Sequence, residues 1–461
     1  MTPALLQGLS ETGFSAQPLS VLQDEQTREL GVISSLAMLE GAPVATRRAW
    51  QTAQLHNLIG FARQYSPFWR ARLPAGQPEA DGLSQWPVLT REQLVHQVQA
   101  EGPLSRHVPQ LASSLGQTYA SSGSTGVPVQ TFSLTQNARF NELRSLAQYV
   151  MEGRRLDLNR TFIKPAGGQQ IADGQRVRVE IQPSWLGSLG GLFAAGHYKT
   201  VHADFDAAAI ARELRLHPVG YLACLGAHME ALVQCLGDDI AQLGIHMWLH
   251  HSDDRNPELV AFLRDRGVVT RSSYSCAELG PIATECPVCP GQYHVVHSNV
   301  LVQGGETMAV SGLEGGVLEL RHLLVTHLHS YATPLIRYEV GDSAVISERC
   351  ACGHEGTTLS HIHGRRKNFV RARDGAWVYL PIFSKPMSDL APFKEFFFEQ
   401  LEPGRVLLWW VPVGELSAHA RSSLVAYLRG VSRADLDFEI RLTDHIDWHH
   451  NPKRVPFICR L

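Results

Sequence analysis

Tyr119-Ala120-Ser121-Ser122-Gly123-Ser124-Thr125-Gly126-Val127-Pro128 is the most specific string in the chain. Its small side chains let backbone N–H groups turn inward and approach phosphate oxygens closely. The Ser and Thr hydroxyls add donors. A bare Ser/Gly run would read as a flexible linker. The ordered S-S-G-S-T-G-x-P pattern instead reads as a loop that holds the β- and γ-phosphates of a nucleotide.

On the N-terminal side of this loop the chain reads as helical. Between Thr46 and Arg72, apolar residues at Leu55, Leu58, Ile59 and Phe61 follow helical spacing. Trp86-Pro87-Val88-Leu89-Thr90 then precedes a polar helix start. On the other side a long helix is predicted over Asn137 to Arg154. Short apolar runs then alternate with helical stretches from 160 to 320. Tyr221 to Cys224 precedes a helix over His228 to Leu236, and Ile245 to Leu249 precedes one over Pro257 to Arg266. That alternation implies an α/β architecture. Beyond Gly364-Arg365 the pattern changes. Arg405 to Val411 reads as an apolar strand, Leu416, Ala420, Leu424 and Leu428 mark one helix face, and Asp437 to Leu442 alternates like a strand. A unit of about 90 residues is of a size to form a small separate domain.

The chain has 461 residues, enough for more than one domain and a substantial core. A formal net charge of -3 gives no global electrostatic case for nucleic acid or an anionic membrane. The N-terminus, Met-Thr-Pro-Ala-Leu-Leu, lacks a basic region ahead of an apolar run. No apolar stretch approaches the roughly 18 residues of a spanning helix. A cytoplasmic protein is expected. Such a chain does not need disulfides, so its eight cysteines, several of them clustered, ask for another explanation.

The phosphate-type loop resembles that of the acyl-adenylate-forming superfamily, which includes acyl-CoA ligases, luciferases and peptide-synthetase adenylation domains. Further strings carry the same resemblance. Tyr274-Ser275-Cys276-Ala277-Glu278 resembles Y-G-x-T-E, which implies that Tyr274 stacks near adenine and Glu278 helps hold Mg²⁺. Without the resemblance, a Tyr and a Glu four apart read as a solvated helix face. Pro334 to Asp342 resembles P-L-I-R-Y-x-x-G-D, which implies that Asp342 binds both ribose hydroxyls. Gly364-Arg365-Arg366-Lys367-Asn368 resembles the hinge G-R-x-D-D, with Arg365 toward the nucleotide and Lys367 at the pivot. Asn451-Pro452-Lys453-Arg454 resembles the terminal G-K-x-[KR], whose lysine reaches the acyl carboxylate and the α-phosphate, so Lys453 takes a catalytic role. Val127, Lys367 and Pro452 depart from the usual Lys, Asp and Gly, and His250-His251-Ser252-Asp253 stands where relatives have a Gly-Gly adenine loop.

Within the superfamily the phenylacetate–CoA ligase branch is the nearest resemblance. Ser66-Pro67-Phe68-Trp69-Arg70 is similar to its S-P-F-Y-R, and Trp86-Pro87-Val88-Leu89-Thr90 to its L-P-x-L-T. Zinc-containing relatives pair a Cys…His segment with a later C-x-C-G. By that resemblance Cys286, His294, Cys350 and Cys352 are the zinc ligands, with Cys289 as a substitute. Reduced, unliganded thiols are the alternative. His246 and His250 read better as part of a strand than as a helical metal pair, and His361, His363, His449 and His450 as surface or packing residues.

The resemblance implies a large N-terminal ATP- and acid-binding domain, residues 1–366, and a small mobile α+β domain, residues 367–461. It also implies the activity. An acid, taken here as aromatic, is activated with ATP and Mg²⁺ to an acyl-AMP and passed to a thiol, most readily CoA. A carrier-protein phosphopantetheine arm or an amine is an alternative acceptor. A non-catalytic nucleotide or acid binder is the alternative of another class. Trp185, Gly187, Gly190, Gly191 and Phe193 read either as an aryl slot or as helix packing.

Overall fold

The computed structural model describes residues 24–104, 108, 115–120, 129–165, 177–203, 206–250, 256–313, 316–364, 369–380, 384–432, 434–447 and 457–461. Helices α1 (Asp24–Glu40), α2 (Val44–Tyr65), α3 (Pro67–Arg72) and α4 (Arg91–Glu101) come first. In α2, Leu55, Leu58, Ile59 and Ala62 are buried at i, i+3, i+4 and i+7, so one face seats in the main core. The helical pattern over Thr46 to Arg72 is real but broken. Ser66 precedes a proline and is extended, and its hydroxyl caps α3 by accepting from the Trp69 amide at 3.1 Å.

Strands β1 (Leu115–Ala120) and β2 (Gln130–Leu134) form an antiparallel pair, followed by α5 (Thr135–Met151). An α/β body comes next. It has β3 (Arg160–Pro165), β4 (Val177–Gln182), β5 (Tyr198–Ala203), α6 (Ala207–Leu214), β6 (Gly220–Cys224), α7 (Gly226–Leu236), β7 (Ile245–His250), α8 (Pro257–Arg264) and β8 (Val269–Cys276). Strand β3 pairs in parallel with β5 and β6, β6 with β7, and β7 with β8. Ile163, Val201, Leu222 and Trp248 of these strands share a core with Ile210 and Leu214 of α6, Met229 and Leu232 of α7, and Leu259 and Leu263 of α8. This is helix-on-sheet packing, the expected consequence of the alternating pattern.

From β8 onward the sheet turns antiparallel through β9 (Gly280–Glu285), β10 (Gln292–Val295), β11 (Val300–Leu313), β12 (Gly316–His327), β13 (Tyr338–Arg349) and β14 (Glu355–His363). A short hairpin, β15 (Phe369–Arg371) and β16 (Trp377–Tyr379), joins through parallel pairing of β16 with β11. Among the described residues, fourteen strands form one sheet in the order β15-β16-β11-β12-β13-β14-β10-β9-β8-β7-β6-β3-β5-β4. Register shifts at Gly304/Thr307, His322/Leu324 and Ser343/Val345 mark bulges, which bend strands and raise local twist.

The C-terminal unit has α9 (Ser384–Leu390), β17 (Phe393–Glu402), β18 (Arg405–Pro412), α10 (Ala418–Ser432), β19 (Asp437–Leu442) and β20 (Phe457–Cys459). The expected strand–helix–strand is β18-α10-β19, with β18 and β19 parallel and Leu424 and Leu428 buried. Hairpin β15–β16 serves two cores by its period of two. Phe369, Trp377 and Tyr379 pack with Val310 and Leu320, whereas Val370, Ala372, Val378 and Leu380 pack with Phe398, Trp410 and Leu424. Among the described residues no helix is long and apolar enough to cross a membrane.

One glycine matters to the site. Gly280 opens β9 at φ +68°, and a Cβ there would lie 3.2 Å from Asn141 Nδ2. Gly280→Ala is expected to cost about 1–2 kcal/mol, the penalty of a left-handed L-residue, measured as a shift in the urea midpoint with an unchanged slope. A midpoint within error of wild type would show that this turn is not strained.

Candidate active site and metal centre

Ligands in open α/β sheets bind outside the carboxyl ends of the parallel strands. Here β7 stops at His250, opposite Ser272, and β8 runs on to Cys276 with β9 on its other side. Tyr274 lies in that extension. Glu278 follows in the turn between β8 and β9. The pair is thus on a strand and a turn, not a helix face.

Asp342 lies on β13, just after Gly341, whose φ is +88°. Strands β8 and β13 are four places apart in the sheet, which in a flat sheet would be about 19 Å. Yet the Tyr274 hydroxyl donates to Asp342 Oδ2 at 2.7 Å. The sheet therefore curls back on itself between β8 and β13, a span in which register shifts fall at Tyr274/Ser275 and at Ser343/Val345. Curling unites two strings 68 residues apart. Cys276 stands between them: burial, then the Glu278 and Asp342 carboxylates, push its thiol well above the usual range.

Glu278 is buried, its side chain 2% exposed, and its Oε1 lies 3.7 Å from Arg91 Nη1. Arg91 carries no motif signal and sequence reasoning missed it. Its position follows from the pairing of Leu89 with Tyr338 at the start of β13.

The S-S-G-S-T-G string, Ser121, Ser122, Gly123, Ser124, Thr125 and Gly126, lies outside the described residues, as do Val127, Arg365, Lys367 and Lys453. The strands flanking the string are described. Ala120 pairs with Gln130, and the Phe132 amide donates to Thr333 Oγ1 at 3.0 Å, just ahead of Pro334. The base of the loop is therefore tied to the segment that leads to Asp342.

A second cluster lies where β10 runs between β9 and β14. The ligand atoms of Cys286, His294, Cys350 and Cys352 all lie within 4.8 Å of one another. Cys289, the sequence-stated substitute, is outside this group and instead donates its amide to Cys286 Sγ at 3.3 Å. Val288 does the same at 3.4 Å, and the His354 amide donates to Cys352 Sγ at 3.4 Å. Burial opposes ionisation of Cys286, but the Cys289 and Val288 amides and the neighbouring thiols outweigh it, so this thiol titrates below its usual range. Amide donors on sulfur favour the thiolate, the form that binds a metal. Three thiols and one imidazole at this spacing fit a four-coordinate tetrahedral ion. Behind them, His354 stacks on His294 at 4.1 Å between ring centres, and Arg47 of α2 bonds both His354 and His297.

The Gly-rich segment at 185–193 serves packing. Leu186, Leu189, Leu192 and Phe193 are buried with Leu143, Leu146 and Ala147 of α5. A Cβ at Gly190 would collide with Ser184. His246 and His250 lie on β7, as a strand reading requires. His363 is buried between Phe369 and Tyr379, a packing role; His449 and His450 lie outside the described residues.

No family model and no curated protein matches this chain. Solved structures do. The chain is similar to 2-hydroxyisobutyryl-CoA ligase in the postadenylation state with 2-HIB-AMP, at a TM-score of 0.65 and 14% identity over 92% of this chain and 90% of that one. With the same enzyme in its thioesterification state, bound to 2-HIB-AMP and CoA, the TM-score is 0.56 at 15% identity over 97% of each chain. O-succinylbenzoate coenzyme A synthetase from Bacillus subtilis, in complex with AMP, matches with a TM-score of 0.50 and 13% identity over 74% of this chain and 67% of that one. At such identities the likeness is one of architecture, and the chain has the fold of the acyl-adenylate-forming CoA ligases, a large N-terminal α/β body followed by a small C-terminal α+β one.

Proposed function

We propose that this protein is an AMP-forming acid–thiol ligase that activates a carboxylic acid, an aromatic one in the first instance, and passes the acyl group to CoA. The observation that carries this reading is the meeting of Tyr274 with Asp342, beside Glu278, at the carboxyl end of β8. A carboxylate can accept two ribose hydroxyls while a tyrosine hydroxyl fixes its orientation. The Tyr274 ring offers a face for adenine. Mg²⁺, a hard cation held by Glu278, would offset charge on the phosphates when bound.

In the first half-reaction a carboxylate oxygen attacks the α-phosphorus. The bond to the bridging oxygen breaks, and its electron pair leaves on pyrophosphate. The Ser121–Gly126 string, Arg365 and Lys453 supply donors to the phosphates and the developing charge. In the second, a thiolate attacks the acyl carbon and AMP leaves. A boundary at 366/367, with Lys367 as pivot, suits a rotation of the small domain between the two steps. Cys286, His294, Cys350 and Cys352 would hold a zinc ion in a structural role, with all four ligand positions filled by protein. A cytoplasmic setting, where ATP and CoA are at hand, belongs to the same reading, and cysteines free of disulfides among the described residues are in keeping with it.

The test is acid-dependent exchange of labelled pyrophosphate into ATP across a panel of aryl and short aliphatic acids. Exchange is expected with at least one aryl acid, followed by CoA-dependent release of AMP. Exchange supported by aliphatic acids alone removes the aromatic preference. Exchange without thioester formation moves the acceptor to a carrier protein or an amine. No exchange with any acid, from protein that binds ATP, overturns the ligase reading in favour of a nucleotide binder.

A further inference from the structure

Arg337 immediately precedes β13 and stands five residues ahead of Asp342. Its amide donates to Thr326 Oγ1 on β12 at 2.9 Å. Its carbonyl accepts from the Leu89 amide at 3.1 Å, and the Glu339 amide donates to the Leu89 carbonyl at 3.0 Å. Its guanidinium donates to the carbonyl of Leu83, in the 3₁₀ turn Ala80–Gln85. Segment 83–89, with the string Trp86-Pro87-Val88-Leu89, is thereby strapped to the start of β13.

Packing alone would not select this residue. Arg337 has φ +50°, one of two non-glycine residues at positive φ among the described residues, a conformation that crowds Cβ. It is 6% exposed. Among the described residues no carboxylate pairs with its guanidinium, Nε has no hydrogen-bond partner, and burial holds its pKa below the usual arginine value. A buried cation without a counter-charge, on a left-handed backbone, is destabilising on both counts. Asp342 stands where such an anchor matters. Glu339 pairs with Leu324 and Ser343 with His322, so Val340, Gly341 and Asp342 lie opposite Leu323 alone. The ladder is locally disrupted in a bulge, so its ends set its shape. One end is Ser343, paired with His322 and His363. The other is the stretch that Arg337 straps down.

We propose that Arg337 is a positioning residue for the ribose-binding carboxylate: by strapping residues 83–89 to the start of β13, it fixes the bulge in which Asp342 stands. This rests on the nucleotide site proposed above and adds to it a residue that acts through another. Recognition of two ribose hydroxyls by one carboxylate is sensitive to small displacements, because both hydrogen bonds depend on the same two oxygens. A carboxylate on an irregular stretch of strand needs a rigid support to keep that geometry.

A merely structural role makes a different prediction. It would change thermal stability and leave the folded protein's preference among nucleotides as it was. The probes are AMP and its dideoxy analogue, which lacks both ribose hydroxyls. Calorimetry compares their binding to wild type, Arg337→Met, Arg337→Lys, Asp342→Ala and the double variant Arg337→Met/Asp342→Ala. Methionine keeps an apolar stem and removes the donors. Arg337→Met is expected to weaken AMP about tenfold, the worth of one hydrogen bond to a charged group, and the dideoxy analogue less than about twofold. Arg337→Lys should recover part of the loss, because it keeps a charged donor without the planar fork. In the Asp342→Ala background, Arg337→Met should cost AMP nothing further, because residues that act as one unit are not additive. The KM for ATP should rise with the loss of AMP affinity while kcat changes little. Equal weakening of both probes, an additive double variant, or wild-type affinities in Arg337→Met overturns the assignment. Should Arg337→Met fail to fold, a wild-type preference for AMP over the analogue in Arg337→Lys overturns it instead. If Asp342→Ala loses AMP while the Arg337 variants keep the wild-type preference, the nucleotide site stands and the Arg337 role falls. If wild type binds neither probe, or Asp342→Ala binds AMP as wild type does, both fall.

Discussion

Asp342→Ala is expected to raise the apparent KM for ATP at least about a hundredfold. Hydrogen bonds to a charged acceptor are worth about 1.5–3 kcal/mol each, and two ribose hydroxyls would be lost together. The contact exists in both ground state and transition state, so KM should move more than kcat. The 2.7 Å bond from Tyr274 refines this expectation. Tyr274→Phe keeps the ring and removes the hydroxyl that orients the carboxylate, so it should follow the same pattern at about a tenth of the size, the loss of one such bond. Glu278→Gln should differ in kind. Acting through Mg²⁺, it should lower kcat more than it raises KM, and excess Mg²⁺ should rescue it in part. Asp342→Ala should not respond to Mg²⁺. If Asp342→Ala and Glu278→Gln both keep wild-type exchange, the nucleotide does not sit at the end of β8.

Protein purified without added metal or chelator is expected to carry about one zinc ion per chain. Replacing Cys350 and Cys352 by serine should remove it. Metal binding at such a site is folding free energy, on the order of 10 kcal/mol or more in small zinc domains. In a protein of this size the loss should appear as an earlier melting transition and easier proteolysis between β9 and β14. The structure also says where the damage would spread. His294 stacks on His354, and Arg47 ties His354 and His297 to α2, which seats in the main core. Loosening the cluster should therefore weaken the packing of α2. Protein with no zinc, or a double variant with full zinc, would refute the assignment.

Local patterns were legible in the sequence because local physics sets them. The apolar spacing of Leu55, Leu58 and Ile59 fixes a helix face, and the runs at Tyr221 to Cys224 and Ile245 to Leu249 become adjacent parallel strands. The α/β class and the small C-terminal β18-α10-β19 unit follow from the same rules. The residues of the candidate site were legible for a different reason. Tyr274, Glu278 and Asp342 stand in strings whose order is specific, and Cys286, His294, Cys350 and Cys352 are the residue types that a zinc ion selects.

Whether those residues meet was a matter for the tertiary structure. Tyr274 and Asp342 come together because the sheet curls between β8 and β13, where the bulges at Tyr274/Ser275 and Ser343/Val345 depend on how two strands register. Arg91 enters the site because Leu89 pairs with Tyr338, a contact that no periodicity announces. Cys289 lies outside the cluster and meets Cys286 Sγ through its backbone amide. Segment 185–193 reads equally as a slot or as packing until α5 is seen to lie against it. Hairpin β15–β16 divides its alternate residues between two cores, which shows only once both cores exist. In each case the sequence determined what a residue can do, and long-range pairing decided what it touches, because side-chain chemistry is local and sheet curvature is not.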